Sequence, residues 1–117
     1  MNNDLRSKVK EDLQKLFENL DKRKTQTVEI LDIKDVLAQI HSKIGDVKNP
    51  EALINRLVNY IRSLAIKGRI HFSSTEEQLI IDLGVIGQQA GLNGVYMADF
   101  SDKAQFYSVL EKIPRHN

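Results

Sequence analysis

Apolar residues recur at three- and four-residue intervals in four separate segments of this chain, the spacing of an α-helix with one buried face. Leu5, Val9, Leu13, Leu16, Phe17 and Leu20 fall within roughly 120° of a helix circumference. Ile30, Ile33, Val36, Leu37, Ile40 and Ile44 do the same. Leu53, Ile54, Leu57, Val58, Tyr60, Ile61, Leu64 and Ala65 form a wider third stripe. Leu79, Leu83, Ile86 and Ala90 form a fourth. Stripes of this kind stabilise a fold only by facing one another, so the expectation is all-α: an antiparallel four-helix bundle.

Punctuation between the stripes supports that count. The connection Asp21 to Gln26, DKRKTQ, is short and polar, so the first two helices should lie antiparallel. Gly45 supplies a stop for the second. Asn49 before Pro50 reads as an N-cap with proline at the first helical position, and Gly68 reads as the end of the third helix. Ser74 and Glu77 have the spacing of a capping box at the start of the fourth, which Gly91 should end. Helices of about 17 residues span roughly 25 Å, the scale of a compact bundle.

The fourth helix is apolar twice, because Ile81 and Val85, with Leu92 beyond them, project away from its core stripe. A cover is therefore expected, and the C-terminal tail offers one in Val95, Tyr96, Phe100, Phe106, Tyr107, Leu110 and Ile113. Asn93-Gly94 would let the chain double back. Ser101 would cap a short fifth helix over about 102–112, with Pro114 after it. The predicted architecture is a single domain, residues 1–117, with the tail packed on helix four.

Composition bounds the function. The 117 residues include no cysteine, which removes disulfides and thiolate metal sites and suits a reducing compartment. No apolar run approaches a membrane span, and the N-terminal MNNDLRSKVKEDLQK lacks an apolar signal core, so a cytoplasmic location is expected. The net charge of +1 is unevenly spread. Residues 49–70 carry Arg56, Arg62, Lys67 and Arg69 against Glu51 alone, while residues 71–117 have an acidic surplus. This balance argues against sequence-independent nucleic-acid binding.

Signals for chemistry are weak. Asp99, Asp102 and Glu111 read as turn and cap residues. His41, His71 and His116 fit no metal-ligand spacing. Gly84 and Gly87 lack the Lys-Ser/Thr of a phosphate loop and are expected to allow close helix packing instead. No enzyme, cofactor or metal is expected. Arg56, Arg62, Lys67 and Arg69 are the best candidates for a working basic surface, facing anionic headgroups or an acidic loop; the competing reading is a solvated helix face. Asn93, Met97 and Asp99 lie at a turn, where side chains project and function concentrates. Tyr96 and Lys103 complete the candidate set.

Two cassettes carry a resemblance: LINRLVNY (Leu53 to Tyr60) and AGLNGVYMADFSDKAQF (Ala90 to Phe106), with the IHF connection (70–72) and the E-x-L-I-x-x-L run (Glu77 to Leu83) between them. Over roughly residues 50–106 the chain resembles the immunity proteins of pediocin-like (class IIa) bacteriocins, most closely the enterocin A immunity subgroup. The resemblance implies a cytosolic four-helix bundle that binds the membrane components of the mannose phosphotransferase permease when these are loaded with toxin, preventing leakage. It implies that the C-terminal half discriminates among bacteriocins. Relatives often carry a basic residue where this chain has Met97, which would alter specificity. A monomer is expected, with peripheral contact to the cytosolic membrane face. The alternative is a small helical antitoxin or adaptor that binds a soluble partner.

Overall fold

The computed structural model describes residues 3–90 and 100–116. Its helices are α1 (Asn3–Asp21), α2 (Val28–Lys43), α3 (Pro50–Gly68) and α4 (Ser74–Gln88), followed by one 3-10 turn, Lys103–Phe106. The connections 22–27, 44–49 and 69–73 are short, so each helix turns back along its predecessor. The first packs on the second and fourth, and the third packs on the same two, which closes the four-helix bundle. None of the described helices is long and apolar enough to cross a membrane.

The four predicted stripes face inward, except that Ala90, assigned to the fourth, lies beyond the end of α4 at Gln88. Leu13, Leu16, Leu20, Ile33, Leu37, Ile40, Ile44, Ile54, Leu57, Ile61 and Ile80 are essentially inaccessible, and Leu83 joins them. Burying each such side chain is worth about 1.5–3 kcal/mol relative to exposure, so this interior is the main source of stability. Arg6 closes one end of the bundle by donating to the carbonyls of Ile44 and Val47, where α2 gives way to its loop.

The caps differ from the sequence reading in two places. The fourth helix starts one residue early: Ser73 accepts from Glu76 N–H at 3.1 Å, and Glu76 accepts from Ser73 N–H at 2.9 Å. The run Ser73-Ser74-Thr75-Glu76-Glu77 holds two overlapping capping-box registers, and the first is used. Gly68 remains inside α3, and the left-handed residue closing that helix is Arg69, with φ 53°. Its N–H reaches back to the carbonyls of Ala65 and Ile66. The Asn49 cap with Pro50 stands as expected, Asn49 accepting from Ala52 N–H at 3.2 Å. Gly87 provides the close approach expected of it, against the backbone of Asn55.

The tail departs furthest. Residues 100–116 run across α2, and among the described residues Ile81 and Val85 on the outer face of α4 stay exposed. The attachment is mostly polar. Lys103 is bonded to Asp32 and Asp35 at 2.9 Å each, and Gln39 donates to the Phe106 carbonyl at 3.0 Å. Glu111 takes bonds from Gln39 and Lys43. Phe106 is the apolar anchor, set edge-on to Tyr60 of α3 at 5.2 Å between ring centres. In place of a fifth helix there is one 3-10 turn, capped by Asp102 rather than Ser101. A helix over 102–112 would need a buried face to offset nucleation, yet Val109 and Leu110 are 101% and 94% exposed.

Candidate functional site

The loops 22–27 and 69–73 meet at one end of the bundle, and Arg23 joins them. Its guanidinium donates to Glu76 at 3.2 and 2.5 Å and to the His71 carbonyl at 2.8 Å. Glu76 is buried. Burial alone would push its carboxyl up, but the Arg23 and Ser73 hydrogen bonds outweigh that and hold it below the ordinary range. The same contact raises Arg23. A buried carboxylate held by both a guanidinium and a helix cap fixes the two loops relative to each other.

Four exposed cations surround this joint: Lys22, Lys24, Lys67 and Arg69. None of them has a carboxylate partner among the described residues. Neighbouring acids are committed elsewhere, Asp21 to Lys34 at 2.8 Å and Glu77 to Arg62. Glu29, beside Gly68, and Glu18, one turn before Lys22 and with its carboxylate bonded to the Gln14 amide, are the remaining acids of this end. Ile66, next to Lys67 in the last turn of α3, is 81% exposed. Between the loops lies a cleft of about 240 Å³ lined by Arg23, Thr25, Thr27, Arg69 and His71, with Ile70 among its apolar walls.

The structure therefore separates the four basic candidates on α3. Lys67 and Arg69 share the loop end. Arg62 forms a two-pronged pair with Glu77 across the α3–α4 seam, one contact at 2.8 Å and a second shorter. Each partner favours the other's charge, raising Arg62 and lowering Glu77. Arg56 stands apart and is partly buried, and burial pushes its guanidinium down. Asn93, Tyr96, Met97 and Asp99 lie outside the described residues.

Lys103 belongs to a different constellation. It is 6% exposed, and besides the two aspartates it donates to the Pro114 carbonyl at 2.6 Å. His116 contacts Asp35 at 2.6 Å. Asp32, Asp35 and His116 lie close enough to share a cation, and the Lys103 ammonium already sits between the two carboxylates. Tyr60 and Tyr107 beneath this cluster have raised hydroxyl pKa values, chiefly through burial and then through the aspartates, Tyr107 to about 12.

Sequence reasoning missed two groups. Lys22 and Lys24 stood in plain view in DKRKTQ, which was read only as a linker. Asp32, Asp35, Gln39 and Lys43 recur at helical spacing on α2 and make a polar stripe. Its complement in the tail, Lys103, Glu111 and His116, was the available signal.

Comparison with known proteins places this geometry in context. The sequence model of the Bacteriocin immunity protein family matches residues 4–88. That span takes in the first two helices, whose signal is dispersed, and stops short of the Ala90 to Phe106 cassette altogether. The chain is 67% identical over 81 residues to the probable leucocin-A immunity protein of Leuconostoc gelidum, covering 69% of this chain and 72% of that one. It is 64% identical over 81 residues to the probable mesentericin-Y105 immunity protein of Leuconostoc mesenteroides, with the same coverage of 69% and 72%. No solved structure matches it at a significant level.

Proposed function

The chain belongs to the bacteriocin immunity protein family, and from that premise we propose that it guards a cell by binding the mannose phosphotransferase permease loaded with a pediocin-like bacteriocin. Immunity to a class IIa bacteriocin is the function; the permease is the proposed partner, met from the cytosolic side. The observation that carries this reading is the 67% identity over 81 residues, 69% of this chain, to a probable leucocin-A immunity protein.

Binding alone is not protection. An immunity protein that held empty and toxin-loaded permease equally would shift no equilibrium, so the contact must favour the loaded state. The exposed side of α3 and α4 supports such a role. It presents Lys67 and Arg69 at its end and the Arg62–Glu77 pair along its seam, on a rigid core. Asn93, Tyr96, Met97 and Asp99 would extend this surface and tune which loaded complex is recognised. Lys103 would act by holding the tail in place rather than by touching the partner.

The test is protection of a sensitive host that carries an intact mannose permease. The chain is expressed inside it, and pediocin-like bacteriocins, leucocin A and mesentericin Y105 among them, are titrated. A large rise in survival against one or a few toxins is expected, lost in a strain-matched Arg62→Glu, Arg69→Glu variant that still folds. Abundant folded protein without protection against any of them would defeat the reading. Capture of a toxin in solution with no permease present would favour the antitoxin alternative.

A further inference from the structure

We propose that the bundle end formed by loops 22–27 and 69–73 docks on an anionic lipid bilayer, its cleft seating a headgroup phosphate. The inference rests on the immunity reading for its setting, and it adds a partner and residues that reading does not assign.

Four observations meet at this end. Lys22, Lys24, Lys67 and Arg69 are exposed and unmatched by carboxylates among the described residues; the nearby acids outside ion pairs are two, Glu29 beside Gly68 and Glu18 one turn before Lys22. The cleft of about 240 Å³ offers guanidinium, imidazole and hydroxyl groups, the donors that a phosphate takes. Ile66, next to Lys67 in the last turn of α3, is 81% exposed, and a cationic end that carries an aliphatic side chain suits the boundary between headgroups and acyl chains. The buried Arg23–Glu76 joint fixes both loops beforehand, so little ordering cost falls on binding. An acidic protein loop would use the cations but has no need of the isolated isoleucine, which favours the bilayer.

The proposal is tested by co-sedimentation with vesicles of phosphatidylcholine and of equimolar phosphatidylglycerol and phosphatidylcholine. Binding to the anionic vesicles alone is expected, and it should fade as salt rises. With about fivefold in affinity per surface cation, the variant Lys67→Gln, Arg69→Gly should bind roughly 25-fold more weakly. Lys22→Gln, Lys24→Gln should lose a similar factor, while Lys48→Gln, Lys112→Gln, exposed cations elsewhere, should change little. Glycine is chosen at position 69 because φ 53° is a conformation it adopts without strain. The melting temperature should therefore hold, and a binding loss with an intact fold is a loss of charge.

Absence of binding to the anionic vesicles would overturn the proposal, as would equal losses in the Lys48, Lys112 control. Affinity for inorganic phosphate by titration, with none for the vesicles, would overturn it too. Protection without vesicle binding would sink this inference and leave immunity standing. Vesicle binding without protection would do the reverse.

Discussion

Gly84 and Gly87 lie one turn apart on α4, and alanine should act on them with opposite signs. A Cβ at Gly87 would sit 2.8 Å from both the Cα and the N of Asn55 on α3. Those are backbone atoms and have no rotamer to escape into. A Cβ at Gly84 meets only Val58 Cγ1 at 3.8 Å, an ordinary contact. In a helix interior alanine is worth about 0.8–1 kcal/mol over glycine. At Gly84 nothing opposes that gain, so Gly84→Ala should stabilise by nearly that amount. At Gly87 carbon–carbon contact at 3.5–4.0 Å is restored only if the two helices part locally by about 1 Å. Overpacking of this kind costs about 1–3 kcal/mol, and a backbone partner puts it in the upper part of the range. After crediting propensity, Gly87→Ala should lose about 1–2 kcal/mol.

The two variants thus differ by about 2–3 kcal/mol, or roughly 10 °C in melting temperature at about 4 °C per kcal/mol for a chain of this size. Thermal and urea unfolding followed by far-ultraviolet dichroism would measure both, each variant serving as the other's control. A Gly87→Ala protein as stable as the parent would refute the close approach of α3 and α4. It would also remove the reason for a glycine at that site.

Two further outcomes concern the tail. Replacing Lys103 with Met removes the ammonium between Asp32 and Asp35 and leaves only the His116 ring on Asp35; with both aspartates about a quarter exposed, the cost should be about 1–3 kcal/mol. Limited proteolysis should then cut within 100–116 faster than in the parent, and unchanged cleavage would deny Lys103 its clamping role. In acid, the Lys43 ammonium, the Ser108 N–H and Gln39 hold the Glu111 carboxyl at about 2, against 4.5 ordinarily. A depressed folded value means that its contribution is complete above about pH 4.5 and fades as pH falls toward 2. Near-ultraviolet tyrosine dichroism should change in that window while the helical signal persists, and a flat near-ultraviolet signal there would contradict it.

The helices were legible because each writes its own repeat: every stripe on α1, α2 and α3 and the Leu79–Leu83–Ile86 stripe of α4 faces the core. What escaped was set by partners distant in sequence. Ser73 and Ser74 offer equal capping boxes to any local reading, and the choice belongs to Arg23, 53 residues from Glu76 in sequence, which claims that glutamate, while Arg62 claims Glu77. Ile81 and Val85 call for an apolar cover, which points the tail to α4. The attachment is instead an exchange of charges and amides with a polar stripe on α2, to which hydrophobic reasoning is blind. Phe106 follows the apolar logic, finding Tyr60, and Tyr107 packs against the core beside it. Among the candidate residues, Lys67 and Arg69 stand exposed at one end of the bundle, whereas Arg62 and Lys103 are held within the fold by acids that a linear count does not locate.

These placements restrict how a partner approaches. The side of α2 bearing Asp32, Asp35, Gln39 and Lys43 is occupied by the tail. On the outer face of α1, side chains pair among themselves, Lys15 with Glu11 at 2.7 Å and Gln14 with Glu18 at 3.0 Å, an ordinary solvated surface. Among the described residues, two groups of exposed features lie on other surfaces. Lys22, Lys24, Lys67, Arg69 and Ile66 lie at one end, and Ile81 and Val85 lie along α4. If the cationic end rests on the bilayer, a helix running away from it presents its flank sideways, at the depth of a membrane protein's cytosolic face. One body could then satisfy both demands of immunity: the end supplies residence at the membrane, while the α3–α4 flank reads the state of the permease. Charge loss at the end should accordingly lower protection at limiting expression and be offset by higher expression, whereas damage to the flank should not be rescued by concentration.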